Sequence, residues 1–355
     1  MRRRCRLSLT RMGQDSSIFS EDVENDPCCP NLPIRAIALG RVLGKGGFNS
    51  VRTLEKMHFD SSDATTVTNA TVLSDGDYSV LSAASNSPKD YVVKQVRRSI
   101  KSNMKYNGII DLAKEARFLS KLSHNHIIQI VSTGGVPGDS DYFLILERLE
   151  KSLSEQLLDW QADSVKIRIP SKKAKLEKLT SRLSRFEVGR QIASALSYLH
   201  SRNIVFRDLK PDNIGIDSTG CVKIFDFGLA KELRSSFHIE GDIYKNTKNA
   251  GTRRYMAPEV FLTEQYGLSA DVYSFSIILW ELVTLKTPFP NLSKEEHATF
   301  VFGMNCRPNI GFGWPTLLKA IVKCCWSEEP TERLTFQQIE EALSAYIKSK
   351  DKQLS

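Results

Sequence analysis

The chain has 355 residues, of which 41% are hydrophobic and 25% charged, and its formal net charge is +8 at pH 7. This composition is typical of a globular protein that is long enough to bury a sizeable core. The longest apolar stretch, SFSIILWELV, falls short of the roughly 18 residues that a membrane-spanning helix needs, so we expect no such helix.

The cysteines argue against a disulfide framework and against a zinc site. There are seven, and they include the adjacent pairs Cys28–Cys29 and Cys324–Cys325. Neither a CxxC redox motif nor zinc-ligand spacing is present. The pattern favours a reduced, intracellular protein, and we expect a cytoplasmic location, with access to the nucleus left open.

Both ends of the chain are predicted to be tails. Residues 1–35 mix charge, Ser and Pro, which indicates disorder. Their start, MRRRCRLSLTR, carries five arginines, and a targeting role for it stays open, although acids crowd between Asp15 and Asp26. Residues 348–355 are predicted to be a short C-terminal tail.

The first third of the chain favours strands. IALGRVLGKGGFNSVRTLEK predicts two strands around a glycine-rich turn, and the polar stretch near 60–90 predicts a long loop insertion. YVVKQVRR is predicted to be a strand, IIDLAKEARFLSKL a helix and DYFLILERL a buried strand.

The rest of the chain favours helices after one basic segment. Residues 161–190 carry nine lysines and arginines against three acids, and no apolar stripe begins there. We predict a basic insertion near 161–185 that turns helical towards Phe186. Helical patterns dominate after residue 268. The chain is therefore predicted to be a two-lobed α+β protein, with a small mainly-β lobe (36–147), a larger mainly-α lobe (148–347) and a cleft between them.

Several motifs carry chemistry. IVFRDLKPDNIGI places Asp208, Lys210 and Asn213 within six residues between two apolar strands, and KIFDFGLAK adds Asp226. GTRRYMAPE follows. Together with GKGGFNSV and YVVK, these motifs resemble the eukaryotic protein kinase family over roughly residues 36–347. The stretches DVYSFSIILWELVT and CCWSEEPTERLTF look like the tyrosine-kinase-like group.

The resemblance implies a catalyst that uses ATP and Mg²⁺. Asp208 would be the catalytic base, Lys210 would offset charge on the γ-phosphate, and Lys94 would reach the phosphates. Glu115 is the expected partner of Lys94, because Leu112 and Leu119 flank it on a helix, whereas the alternative, Asp111, lies near the helix start. Asn213 and Asp226 would hold Mg²⁺. The nucleotide site would comprise Leu43, Gly44, Lys45, Gly46, Gly47, Val51, Lys94, Glu147 and Leu149.

The chain departs from the family pattern at four positions. Asn49 stands where a third glycine is usual, and we expect it to tolerate left-handed geometry. Phe206 replaces a histidine and should keep its packing role. Gly215 replaces a larger apolar residue at the floor of the adenine site, and we hypothesise that the bulky Phe225 fills part of that volume.

Regulation and scaffolding residues are also implied. Arg207 would bind a phosphate on the activation segment 226–259, which an upstream kinase would add to Ser235, Ser236, Tyr244 or, by slight preference, Thr247. A purely structural ion pair of Arg207 is the alternative. Thr252 would bond the catalytic loop, and Asp271 its backbone. We expect a buried ion pair of Glu259 and Arg333, and core positions for Trp280 and Trp326.

The expected function is ATP-dependent phosphorylation of protein Ser and Thr hydroxyls. The first alternative is a pseudokinase that binds nucleotide without transferring phosphate, for which Asn49, Phe206 and Gly215 are the only support. The second is a kinase whose basic insertion docks nucleic acid or an anionic membrane, although a solvated basic loop is preferred and no nucleic-acid partner is expected. The sequence leaves the oligomeric state open.

Overall fold

The computed structural model describes residues 29, 31–33, 36–57, 84, 86–166, 172–246, 250–263 and 265–352. Most of the predicted tail 1–35 and of the loop insertion near 60–90 lies outside these residues, as does Thr247.

Six strands form one sheet in the amino-terminal lobe, in the order β1-β5-β6-β4-β3-β2. All neighbours pair antiparallel except β1 and β5, which run parallel. The strands are β1 (Asn31–Leu32), β2 (Ile37–Lys45), β3 (Asn49–Met57), β4 (Tyr91–Val96), β5 (Ile130–Gly134) and β6 (Phe143–Glu147). The mainly-β lobe expected from the sequence is therefore confirmed.

The two faces of this sheet bury different side chains. Along β6, Phe143 and Ile145 enter a small outer core, whereas Leu144 and Leu146 enter the large core that extends into the second lobe. This alternation follows from the period of two in a strand. Helix α1 (Ser102–Leu119) packs on the second face, and it begins seven residues before the predicted apolar pattern at Ile109.

Strand β1 lies within the predicted disordered tail, so that prediction is wrong for residues 31 and 32. Asn31 pairs with Thr133 and Leu32 with Gly134, and the Asn31 amide donates to the Gly135 carbonyl at 2.8 Å. Leu32 is only 1% exposed. A short apolar anchor on a sheet edge orders this segment, and a two-residue strand leaves no periodicity in the sequence to detect.

Within the described residues, seven α-helices build the second lobe. They are α2 (Leu153–Lys166), α3 (Lys172–His200), α4 (Pro258–Leu262), α5 (Ser269–Thr284), α6 (Lys294–His297), α7 (Thr316–Cys325) and α8 (Phe336–Asp351). Helix α5 lies at the centre, because its residues are buried without interruption from Ala270 to Leu282. Trp280 and Trp326 are 6% and 8% exposed, which confirms that they belong to the core. No described helix has the length and apolarity to cross a bilayer.

The basic segment near 161–185 is helical over most of its length, which corrects the expectation that it turns helical only towards Phe186. Helix α2 extends to Lys166, and α3 starts at Lys172 and continues for 29 residues. Its cationic side chains are good helix formers, and no proline interrupts it. Arg185 is 5% exposed and donates to the Leu282 carbonyl at 2.7 Å, so one predicted solvent-facing cation instead bonds the end of α5.

Short strands frame the cleft and the segment that follows it. Two three-stranded sheets and one two-stranded sheet carry the loops of the site. These strands are β7 (Lys151–Ser152), β8 (Ile204–Val205), β9 (Ile214–Ile216), β10 (Val222–Ile224), β11 (Lys231–Glu232), β12 (His238–Glu240), β13 (Ile243–Lys245) and β14 (Gln265–Tyr266). Strand β8 pairs with β11, and β13 joins β12 to β14.

Candidate active site

A buried lysine joins the two lobes. Lys94 Nζ on β4 lies 2.5 Å from Glu115 Oε2 on α1 and 3.0 Å from Asp226 Oδ1, which follows β10. The expected partner, Glu115, is thus the one that the structure brings to Lys94. Asp111 makes no ion pair with Lys94 in the described chain. It packs beside Gly228, and burial raises the pKa of its carboxyl to about 6.

The neighbouring charges of Lys94, Glu115 and Asp226 shift one another's pKa values. Burial alone would lower the pKa of Lys94, but the carboxylates of Glu115 and Asp226 outweigh it and raise the pKa. The ammonium group of Lys94 in turn holds the pKa of Asp226 below its ordinary value. Lys94 therefore stays cationic and Asp226 anionic at neutral pH, as phosphate and metal ligands require.

The loop between β8 and β9 holds a second polar cluster. Lys210 Nζ donates to Asp208 Oδ2 at 2.7 Å and to Thr252 Oγ1 at 2.9 Å, while Thr252 Oγ1 donates to Asp208 Oδ1 at 2.7 Å. Asn213 Nδ2 donates to the carbonyl and to Oδ2 of Asp208, both at 2.9 Å. Thr252 therefore bonds the catalytic-loop groups, as expected.

The oxygen atoms of Asn213 and Asp226 suit a hard divalent cation. The Asn213 amide nitrogen donates to Asp208, which orients the amide group. The amide oxygen Oδ1 has no hydrogen bond among the described residues. Asp226 offers a second carboxylate oxygen beside the one bonded to Lys94. The Phe225 N–H donates to the Asn213 carbonyl at 3.0 Å, which ties the two ligand-bearing loops together. Amide and carboxylate oxygens are the ligands that Mg²⁺ prefers.

The glycine-rich turn between β2 and β3 is open to a ligand. A Cβ on Gly44 or Gly47 would meet no protein atom within 4 Å, so packing within the chain does not require glycine there. A phosphate that approached the backbone closely would require it. Asn49 does not adopt a left-handed backbone, so its expected tolerance of that geometry is not used. It begins β3 with paired, extended backbone, and its carbonyl accepts from the Gly46 N–H at 2.9 Å.

Phe48, at the tip of this turn, packs on α1, which the sequence did not indicate. A Cβ on Gly108 would lie 2.6 Å from Phe48 Cβ, so only glycine permits the contact. Arg97 adds two bonds, from its side chain to the Gly47 carbonyl at 2.6 Å and from its N–H to the Phe48 carbonyl at 3.0 Å. The turn and α1 are therefore held together.

Two residues predicted for the nucleotide site lie at the end of β6 and just after it. Glu147 Oε1 accepts from the Gln129 N–H at 2.7 Å and lies 3.2 Å from Lys223 Nζ, so its side chain is bonded within the protein. Leu149 lies against Gly215. A Cβ there would be 2.3 Å from Leu149 Cδ1. The hypothesis that Phe225 fills the space left by Gly215 is therefore wrong, since Leu149 fills it.

Phe206 has the packing role expected for it. It is 1% exposed and meets Phe227 edge-on at 5.2 Å between ring centroids, and Phe227 contacts Phe118 of α1 at 6.3 Å. Its backbone is held from below, because Asp271 on α5 accepts from the N–H groups of Phe206 and Arg207 at 2.7 and 2.9 Å. The predicted bonding of the catalytic-loop backbone by Asp271 is confirmed.

A buried ion pair anchors the end of the activation segment. Arg333 Nη1 and Nη2 reach Glu259 Oε1 and Oε2 at 2.5 and 3.0 Å, and the Arg333 side chain is fully buried. This confirms the expected pair. Gly251 has φ +103, and a Cβ there would lie 2.3 Å from the Arg207 carbonyl, so glycine lets this segment approach the catalytic loop.

Comparisons with known proteins agree with this arrangement. The protein kinase domain family model matches residues 68–343. Serine/threonine-protein kinase CTR1 of Arabidopsis thaliana is 33% identical over 242 residues, which cover 67% of this chain and 27% of that protein. Dual specificity protein kinase shkC of Dictyostelium discoideum is 33% identical over 240 residues, covering 66% and 43%. Serine/threonine/tyrosine-protein kinase HT1 of Arabidopsis thaliana is 36% identical over 155 residues, covering 44% and 38%.

The matched part spans less than half the length of each of these relatives. Within this chain, the family match covers more than half of the residues; it begins after the glycine-rich turn and includes the segments that carry Lys94, Asp208 and Asp226. The ordered motifs, the lysine that joins the lobes and the matched family model lead to one conclusion: this chain belongs to the protein kinase family.

Proposed function

We propose that this chain transfers the γ-phosphoryl group of Mg-ATP to serine and threonine hydroxyls of proteins. The observation that carries the proposal is the burial of Lys94, Asp208 and Asn213, which are 7%, 9% and 4% exposed, in two bonded clusters. Polar groups are costly to bury unless they are paired. Lys94 is paired with Glu115 and Asp226, and Asp208 is bonded to Asn213 and Lys210, and together these groups are the combination that phosphoryl transfer needs.

The chain's own residues supply the following chemistry. Asp208 accepts or orients the proton of the attacking hydroxyl, with Thr252 and Lys210 fixing its two carboxylate oxygens. Lys94 and free backbone N–H groups of the glycine-rich turn bind phosphate oxygens. When bound through Asn213 and Asp226, Mg²⁺ would neutralise phosphate charge. Lys210 offsets the charge that develops on the transferred group.

Serine and threonine are the proposed acceptors for two reasons. The Lys210 side chain lies between Asp208 and Thr252, an arrangement that resembles the serine/threonine branch of the family. The names of the similar proteins point the same way, since CTR1 is called a serine/threonine-protein kinase. Because shkC is called dual specificity and HT1 names tyrosine as well, phosphorylation of tyrosine is the outcome to test against.

Phosphorylation of the activation segment by an upstream kinase is also proposed. Arg207 Nε donates to the Leu229 carbonyl at 2.5 Å, while its Nη1 is buried without a hydrogen-bond partner in the described chain. A phosphate on Ser235, Ser236, Tyr244 or Thr247 would supply that partner and order the segment. Mass spectrometry of active protein should find at least one of these residues modified. Active protein with none modified would refute this part.

The test of the main proposal is a radiolabelled-ATP assay on a mixed protein substrate, followed by phosphoamino acid analysis. Wild type should label serine and threonine in the presence of Mg²⁺, and Asp208→Asn should lose at least 100-fold, because the catalytic carboxylate is gone. Nucleotide binding by Asp208→Asn, followed by fluorescence, is the control for folding. Equal labelling by both proteins would contradict an enzyme and favour the pseudokinase alternative.

The proposed location is the cytoplasm, with the nucleus open to it, on the strength of the irregular free cysteines. Described free cysteines include the exposed Cys306 and Cys324 and the buried Cys325. Fluorescence imaging of the tagged full chain would test this location. A purely membrane-bound or organellar signal would overturn it.

A further inference from the structure

Two arginines follow Thr252 directly, beside the catalytic carboxylate. Thr252 Oγ1 lies 2.7 Å from Asp208 Oδ1, so residues 253 and 254 adjoin the place where an acceptor hydroxyl must sit. Arg254 is exposed and makes no ion pair or hydrogen bond within the described chain. Arg253 is half-buried and donates to the Lys294 carbonyl at 2.8 Å. Two arginines thus follow Thr252 directly, and neither guanidinium group has an acidic partner within the described chain.

A buried histidine stands behind these arginines. His297 is 6% exposed, and neither ring nitrogen has a hydrogen-bond partner in the described chain. Its ring packs edge-on against Phe289 and Phe302, at 5.2 and 5.0 Å. An unsatisfied polar group at this depth is costly, and an external partner would relieve the cost.

Electrostatics and packing join the three residues into one cluster. Burial, together with the charges of Arg253 and Arg254, lowers the pKa of His297 to about 4, so the ring is neutral and keeps one N–H donor at pH 7. The Arg253 guanidinium lies 5.1 Å above the Phe261 ring, and Phe261 stacks on Phe302 at 4.5 Å. The same aromatic side chains therefore support Arg253 and His297.

Acids are also present nearby, and they set a limit on the site. Glu281 accepts from the Tyr255 hydroxyl at 2.9 Å, and burial raises the pKa of Glu281 to about 7, while Arg254 opposes that rise. Asp212 also acts on Glu281. These two carboxylates lie on the Arg254 side. Their negative charge opposes any bound anion, so the anion must gain enough from the two arginines to outweigh it.

We infer that Arg253, Arg254 and His297 form a binding site for a phosphate group carried by the protein substrate close to its acceptor hydroxyl. Arginine binds phosphate bidentately, and a neutral imidazole N–H adds a third donor. The kinase would thus prefer substrates that another kinase has already phosphorylated. This inference rests on the proposed function, because it assigns the substrate class of the same site.

The test uses the full-length kinase and a set of serine peptides. Each peptide carries phosphoserine, aspartate or alanine at one of the positions from −4 to +4 relative to the acceptor, and kcat/KM is measured for each. At one position, phosphoserine should raise kcat/KM at least 10-fold over alanine, and aspartate should raise it less. Arg253→Ala, Arg254→Ala and His297→Phe should each reduce this gain, and the double arginine variant should abolish it.

Two controls keep this test separate from the proposed function. Activity on the alanine peptides and the phosphoserine gain should both be unchanged in Arg182→Ala, an exposed arginine on α3 that serves as the matched variant. Binding of the phosphopeptide to Asp208→Asn, followed by fluorescence anisotropy, reports the site without catalysis. Activity on alanine peptides without any phosphoserine gain, or a gain that survives the double arginine variant, would overturn the inference. An inactive wild type that still binds the phosphopeptide would refute the proposed function alone.

Discussion

Replacing Thr252 by valine should slow phosphoryl transfer about 30-fold. Valine keeps the shape of threonine and removes only the hydroxyl, which donates to Asp208 at 2.7 Å and accepts from Lys210 at 2.9 Å. Lys210 also bonds Asp208 directly at 2.7 Å, so we count only the bond between Thr252 and Asp208 as lost. A hydrogen bond to a charged group contributes about 2 kcal/mol, and roughly 1.4 kcal/mol corresponds to a factor of ten in rate.

The assay is steady-state phosphorylation of one serine peptide by wild type, Thr252→Val and Thr252→Ser. Serine retains the hydroxyl, so its kcat should stay within about threefold of wild type while the valine variant falls about 30-fold. Urea denaturation of all three proteins separates catalysis from stability. Equal losses in the serine and valine variants, or a valine variant within threefold of wild type, would refute the reasoning.

Three further predictions concern stability and nucleotide binding. Glu259→Gln should lower the free energy of unfolding by about 3–5 kcal/mol in urea denaturation, because Arg333 would be left buried without its charge partner; a loss below about 1 kcal/mol would contradict this. The fold raises the pKa of Glu281 from 4.5 to about 7, so the folded state binds more protons in that range and unfolding free energy should fall as pH rises from 4.5 to 7. Glu281→Gln should flatten that slope, and an unchanged slope would count against it. Gly215→Ala should raise the KM for ATP, because the new Cβ would lie 2.3 Å from Leu149 Cδ1; adding Leu149→Ala should restore it, and failure of that rescue would sink the packing account.

The catalytic residues could be predicted because their chemistry fixes residue type and spacing together. Asp208, Lys210 and Asn213 stand within six residues, and their mutual bonds are short-range in the chain. The pairing of Lys94 with Glu115 was predictable too, since a buried lysine needs an acid and the flanking leucines select one face of α1. Local pattern and chemical need agreed in both cases.

Contacts between distant segments could not be predicted in the same way. Nothing in the sequence near Gly215 names Leu149 as its neighbour, because that contact depends on how β7 and β9 pair. The charges of the basic segment indicate solvent exposure, which favours a loop. Solvent exposure and helix formation are compatible, however, and α3 continues through the segment. Strand β1 owes its order to the edge of β5.

The position of Asp271 has a consequence for how the cleft can move. This carboxylate belongs to the most deeply buried helix, and it holds the backbone just before Asp208 while also bonding His200 at 3.0 Å. The amino-terminal lobe, by contrast, reaches the reacting centre through side chains such as Lys94. The amino-terminal lobe can therefore move to open and close the cleft for nucleotide exchange while the carboxy-terminal lobe stays fixed. Asp208 and the residues bonded to it then keep the same positions from one turnover to the next.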